Sequence, residues 1–156
     1  ILDVQMPGIS GPALQERLAE DERTMPIVFL TGHGDIDTSV KAMKLGAVDF
    51  LTKPFSDKDL LAAVEMALEK HRSMQREWAS KDIIQARVDS LTPRETDVFK
   101  LVITGMLNKQ IAYDLGISEK TVKVHRARVM EKMQVVSVAE LVRLAERVGI
   151  TVDPGV

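Results

Sequence analysis

Pro26-Ile27-Val28-Phe29-Leu30-Thr31-Gly32 decides the fold: four apolar residues, rich in β-formers, begin at a proline and stop at a glycine. Such a run reads as a short strand bounded by turn signals. The same grammar recurs on both sides. Upstream, Ile1-Leu2 reads as the last stub of a buried strand ending at Asp3. Downstream, Val48-Asp49-Phe50-Leu51 is a third run, stopped by Lys53-Pro54. The intervals between these runs have helical spacing. Residues 13–22 follow the Pro7-Gly8 and Gly11-Pro12 loop signals and carry Leu14 and Leu18 four apart. Ile36, Val40 and Met43 lie at i, i+4, i+7, and Gly46 is placed to end that helix. Ser56 with Asp59 three residues later is a capping-box pattern. It opens a helix with Leu60, Leu61, Val64 and Leu68 on one face. Alternating strands and helices predict a parallel sheet covered by helices.

In open parallel sheets, ligands bind at the C-terminal ends of the strands. Asp3, Thr31 and Lys53 each fall at that end of successive strands. Singly, each reads as an ordinary turn or loop residue. Together, a carboxylate, a hydroxyl and an ammonium can accept, hold and neutralise a phosphoryl group, since aspartate is a phosphoryl nucleophile and lysine a phosphate binder. His33 has no second histidine or carboxylate at ligand spacing and reads as a loop residue.

Composition bounds the remaining choices. The chain has 156 residues, no cysteine and a formal charge of −2. Neither a disulfide framework nor a thiolate metal site is available. No apolar run approaches the ~20 residues of a membrane span, and the first residues lack the pattern of a signal peptide, so a cytoplasmic location is expected. The first residue is Ile1, and the reading expects a fragment or processed form. Charge is uneven: residues 1–70 hold 7 basic and 12 acidic side chains, residues 89–156 hold 10 and 9. Within 105–132, Lys109, Lys120, Lys123, Arg126, Arg128 and Lys132 outnumber Asp114, Glu119 and Glu131. A local basic face on a near-neutral domain suits DNA.

Residues 71–90 read as a helical linker. Glu69 to Val88 lacks glycine and proline and so extends the preceding helix, but Met74, Trp78, Ile83, Ile84 and Val88 hold no clean heptad. The rest is all helix. Thr92-Pro93-Arg94-Glu95 is a capping box with proline at the first helical position. Asn108 is placed to cap a short helix ending at Gly116, and Ser118 to cap the next. A tight glycine turn between two helices is a helix-turn-helix pattern. Over 119–133, Val122, Val129 and Met133 form a core stripe. Lys120, Thr121, Lys123, Val124, Ala127 and Arg128 remain for a face that enters a major groove. His125 and Arg126 border the core, and Arg126 is within reach of a phosphate.

The motifs Asp3-Val4-Gln5-Met6-Pro7-Gly8-Ile9-Ser10-Gly11, Leu30-Thr31-Gly32-His33-Gly34-Asp35 and Val48-Asp49-Phe50-Leu51-Thr52-Lys53-Pro54-Phe55 resemble a response-regulator receiver domain, nearest the FixJ-type branch. The resemblance covers residues 1–70 and implies a partial doubly wound, flavodoxin-like α/β fold. It implies phosphorylation of Asp3 by a sensor histidine kinase, phosphoryl binding by Thr31 and by Lys53 across a cis peptide to Pro54, and an aromatic switch at Phe50. It also implies Mg²⁺ held by Asp3 and the Gln5 carbonyl. Residues 91–150 resemble the LuxR-type four-helix DNA-binding domain. That likeness implies a phosphate contact at Lys109, a dimer contact at Leu141 and Leu144 in the last helix, homodimers on double-stranded DNA, and activation through RNA polymerase. Ala127 stands where relatives often carry lysine.

Receivers begin with a strand ending in two acidic metal ligands, and the reading expects roughly 50 residues of that kind to be missing ahead of Ile1, at ~30 residues per βαβ unit. Weak Mg²⁺ binding is therefore expected, because Mg²⁺ favours octahedral oxygen ligation. An aspartyl-phosphate hydrolase is disfavoured: its general acid, two residues after the nucleophile, is replaced by Gln5, which cannot transfer protons. The expectation is a non-enzymatic, phosphorylation-switched transcription regulator. The alternative is a phosphorylation-independent DNA-binding protein whose receiver part serves dimerisation or inhibition.

Overall fold

The computed structural model describes residues 1–21, 23, 25–32 and 36–151, with Ile36 described by its backbone alone. The chain forms two compact units, Ile1–Trp78 and Ala79–Val156.

The first unit contains β1 (Leu2–Asp3), α1 (Gly11–Leu18), β2 (Val28–Thr31), α2 (Ile36–Lys44) and β3 (Asp49–Thr52), and most of α3 (Asp57–Asp89). The strands form one parallel sheet in the order β1-β2-β3. Leu2 pairs with Phe29 and Asp3 with Leu30; Phe29 pairs with Phe50 and Thr31 with Thr52. This register brings the ends of all three strands to one edge. Phe29, Ala42 and Ala47 form a small core, with Leu2, Val4, Ile27 and Phe50 packed on it. The Lys53–Pro54 peptide is cis.

One helical expectation shifts. The helix expected over 13–22 starts at Gly11, because Ser10 accepts the Ala13 N–H and Pro12 tolerates the first turn. It ends at Leu18, which is exposed, while Gln15 is buried and donates through Nε2 to the Ala42 carbonyl at 3.1 Å. A helical stripe of leucines therefore misjudged which side faces inward. Gly46 closes α2 at φ 91°, as its position suggested. Ser56 accepts the Asp59 N–H at 3.1 Å and starts α3. Without an internal breaker, α3 then runs for 33 residues, through the stretch read as a linker. His71 and Trp78 meet edge to face along it, ring centres 6.3 Å apart. Among the described residues, no helix is long and apolar enough to cross a membrane.

The second unit holds the end of α3 and α4 (Pro93–Ile103), α5 (Asn108–Leu115), α6 (Glu119–Met133) and α7 (Val138–Arg147). Val98, Phe99, Val102, Ile111, Val122, Val129, Met133, Leu141 and Ala145 are buried together, with Ile84 of α3 among them. The Thr92–Glu95 capping box is complete: Glu95 N–H donates to Thr92 Oγ1, and Thr92 N–H donates to Glu95 Oε2 at 2.9 Å. Asn108 does not cap α5. Leu107 holds that position, and its N–H donates to Gln110 Oε1 at 2.8 Å. The Asn108 side chain is engaged elsewhere, accepting from Arg126 at 3.0 Å.

Candidate phospho-acceptor and DNA-reading sites

The register of the sheet places Asp3, Thr31 and Lys53 at adjacent strand ends. Lys53 Nζ donates to Asp3 Oδ2 at 2.5 Å, and Asp3 Oδ1 accepts the Gln5 N–H at 3.0 Å. Both side chains remain open to solvent. The Lys53 ammonium and then the Gln5 N–H stabilise the charged form and hold the Asp3 carboxyl below its usual range. Asp3 is thus an ionised carboxylate beside a counter-charge. The Lys53 N–H also donates to the Thr31 carbonyl at 2.7 Å, tying β2 to the loop that carries the lysine. Thr31 itself is buried. Phe50 is half-buried, its ring 6.0 Å from that of Phe29 and tilted by 41°.

Gly11 packs under the same strand end. Its N–H donates to the Val4 carbonyl at 3.1 Å, and a Cβ there would overlap the Asp3 carbonyl and the Phe29 ring. This close approach requires glycine. His33 lies outside the described residues.

Receiver domains generally use Mg²⁺ for phosphorylation. The donors present here do not amount to such a site. Among the described residues, the Asp3 carboxylate, already shared between Lys53 and the Gln5 N–H, falls short of octahedral oxygen ligation. Among the described residues no group of three or more metal-ligating side chains comes together.

In the second unit the turn between α5 and α6 pivots on Gly116, left-handed at φ 63°. Ser118 then caps α6, accepting the Thr121 N–H at 3.1 Å. The Thr121 hydroxyl is itself engaged, 2.7 Å from Ser118 Oγ. Val122, Val129 and Met133 turn inward, and Lys120, Thr121, Lys123, Val124, Ala127 and Arg128 are exposed, as the helical spacing required. Lys109 is exposed at the start of α5. Lys123 Nζ lies 3.5 Å from Glu119, an exposed pair that adds little stability. His125 is half-buried, its Nδ1 enclosed without a hydrogen-bond partner. Arg126, expected within reach of a phosphate, is held by Asn108.

The dimer contact expected at Leu141 and Leu144 needs correction. Leu141 is completely buried in the core of its own unit, and Leu144 is partly buried against that core. Both apolar positions serve the internal face of α7. Its exposed side chains are Ala139, Arg143, Glu146 and Arg147.

Sequence reasoning missed one charged cluster. Lys132 Nζ donates to Glu95 Oε2 at 2.6 Å and to the Ser90 carbonyl at 2.9 Å. Glu95 is buried, and the Lys132 ammonium with the Thr92 N–H pulls its pKa from an ordinary 4.5 to about 2. Local pattern marked Glu95 as a cap but carried no sign of its partner 37 residues away.

A parallel sheet with an aspartate and a lysine joined at its strand ends, on one chain with a helix-turn-helix, defines a phosphorylation-switched DNA-binding regulator. The chain belongs to the response regulators of two-component systems. Residues 1–65 match the response regulator receiver domain, and residues 89–145 match the bacterial regulatory proteins of the luxR family. The chain is 47% identical to nodulation protein W of Bradyrhizobium diazoefficiens over 98% of its own length and 67% of that protein. It is 50% identical to the response regulator protein TmoT of Ectopseudomonas mendocina, covering 94% and 67%. It is 47% identical to the transcriptional regulatory protein FixJ of B. diazoefficiens, covering 98% and 75%. The solved response regulator StyR superposes with a TM-score of 0.72 at 48% identity, covering 94% of this chain and 74% of that one. Members of this family bind DNA, are phosphorylated by histidine kinases, and are generally non-enzymatic transcription factors.

Proposed function

We propose that Asp3 is the phosphoryl acceptor and that α6 reads DNA in the major groove. The observation that carries the first part is the Asp3–Lys53 contact at the strand ends, where open parallel sheets bind ligands. In this reading the ionised Asp3 attacks the phosphorus of a sensor histidine kinase's phosphohistidine. The O–P bond forms as the P–N bond breaks, and the imidazole leaves with the electron pair. Lys53 moves from the carboxylate to the new phosphoryl oxygens, Thr31 supplies a hydroxyl, and Phe50 moves with Thr31. Lys123 and Val124 approach base edges with Lys120, Thr121, Ala127 and Arg128 flanking them, and Lys109 meets a phosphate. Dimers form on double-stranded DNA through the exposed face of α7, and RNA polymerase is the partner in transcription. The protein acts in the cytoplasm, where a chromosome is accessible.

The incomplete magnesium donor set supports a second reading for a chain of these residues alone: DNA binding that does not depend on phosphorylation. Mass spectrometry after acetyl phosphate treatment distinguishes the two. Covalent label on the unmodified chain that disappears in Asp3→Asn supports the first reading. Unlabelled protein that still binds DNA supports the second, and label retained in Asp3→Asn removes the acceptor assignment.

A further inference from the structure

We propose that Arg87, in the last turn of α3 and ahead of the region matched by the luxR family, is a positioning residue for the reading helix. The argument begins at the C-terminus of α6. A helix leaves its last four carbonyls without intrahelical partners. Here Gln134 turns left-handed at φ 54°. The Val135 N–H then returns to the Met130 carbonyl at 3.1 Å and the Gln134 N–H to the Glu131 carbonyl at 3.0 Å. The Met133 carbonyl receives the Arg87 guanidinium instead, at 3.1 Å. A cation at that end also complements the helix dipole. The neighbouring Lys132 reaches the Ser90 carbonyl. Two consecutive residues of α6 are thereby fastened to the end of α3.

The end of α3 is itself firmly seated. Ile84 is buried in the core of the second unit, and Val88 packs on that core. Ser80 Oγ accepts from Arg147 of α7 at 2.9 Å. Positions 80, 84, 87 and 88 share one helical face. Three turns of α3 thus belong mechanically to the DNA reader, and Arg87 is their grip on α6. Leverage makes that grip consequential. With 15 residues, α6 is ~22 Å long, so a tilt of about 10° at Met133 displaces its first turn by roughly 4 Å. That displacement exceeds a hydrogen-bond length at the first turn, which carries Lys120 and Thr121, and Lys123 just beyond it moves by about 2.6 Å.

The inference rests on α6 as the reading helix, and the experiment tests that reading first. The unmodified full chain is used to enrich a duplex from a random library; failure to enrich any sequence removes the reading helix and the inference together. Arg87→Met and Arg87→Lys are then compared on the enriched duplex and on a scrambled one, across a salt series, at a temperature where circular dichroism shows native helicity. Arg87 is the better probe than Lys132, because its partner is a carbonyl and no buried carboxylate is left unpaired. Arg87→Met is expected to bind the enriched duplex about 3- to 10-fold more weakly, the scale of one lost hydrogen bond, with its salt slope unchanged. Its binding to the scrambled duplex is expected to be unaltered, and Arg87→Lys to recover most of the loss. Unchanged affinity for the enriched duplex in the folded Met variant overturns the proposal. So does an equal loss on both duplexes with a flatter salt slope, which marks a phosphate contact. If Arg87→Met loses helicity, Arg87→Gln is read by the same criteria.

Discussion

Glu95 carries a structural task that its exposed neighbours do not. Its carboxylate accepts the Thr92 N–H and the Lys132 ammonium while buried, so both donors favour the charged form. A folded-state pKa near 2 against an ordinary 4.5 means that its contribution is fully present above pH 4.5 and is lost as pH falls toward 2. Glu95→Gln is expected to destabilise the second unit by ~1–3 kcal/mol at neutral pH, because Lys132 loses its charged partner. Urea titrations from pH 7 down to pH 2 check the sign: the gap between variant and parent narrows with acid, and a gap independent of pH excludes the ion pair as its source. For the exposed lysines of the proposed DNA face the expected effects fall on DNA binding instead. Lys123→Ala is expected to cost ~1–3 kcal/mol on an enriched duplex and to relax preference at one base position, as a base contact does. Lys109→Ala is expected to weaken binding on every duplex and to lower the salt slope by about one, because one counterion fewer is released. Binding isotherms across a salt series separate the two roles. Equal losses with flatter slopes for both variants place Lys123 at a phosphate.

Turns and caps decide where the elements stop, and their chemistry is local. Gly116 holds φ 63° with nothing near a built Cβ, so only backbone strain opposes a side chain there. Gly116→Ala is expected to cost ~1–2 kcal/mol, the usual penalty of a left-handed residue bearing a Cβ. Thermal unfolding measures it; an unaltered midpoint means that the turn relaxes to another conformation. Locality also explains which elements were legible. The Thr92–Glu95 box, the Ser118 cap, the Gly46 stop and the unbroken α3 all depend on residues within one or two turns of each other. The sheet edge was legible because strand ends and parallel topology together fix where Asp3 and Lys53 meet. What escaped were tertiary choices between equivalent local options. Leu107 caps α5 because Asn108 is drawn to Arg126 across 18 residues. Leu141 faces its own core, whereas the likeness to LuxR-type domains had implied a dimer contact there. Arg87 and Lys132 read as surface charges until α3 and α6 came together.

The two units together place a charged pocket and a basic reading helix on one chain, and they differ in how complete each is within these residues. The second unit has a buried core of large side chains, satisfied caps and an exposed basic face on α6. The first has a smaller core, and Lys53 already occupies one oxygen of the Asp3 carboxylate at its strand ends. A divalent cation approaching Asp3 therefore meets an ammonium already paired there, and must bring most of its coordination as water. Isothermal titration of the chain with Mg²⁺ is expected to show no saturating one-to-one heat in the micromolar range. Affinity for an enriched duplex at fixed ionic strength is expected to be the same with Mg²⁺ and with a chelator. The Asp3→Asn chain serves as the control, because it removes the Asp3 carboxylate without touching α6. Tight, stoichiometric Mg²⁺ binding that Asp3→Asn abolishes means that Lys53 yields the carboxylate and that the residues present suffice for the metal. The DNA measurement separates the units: loss of duplex binding on chelation in the parent but not in Asp3→Asn requires a metal at the pocket to control the reader even in this chain, and overturns the expectation of Mg²⁺-independent binding.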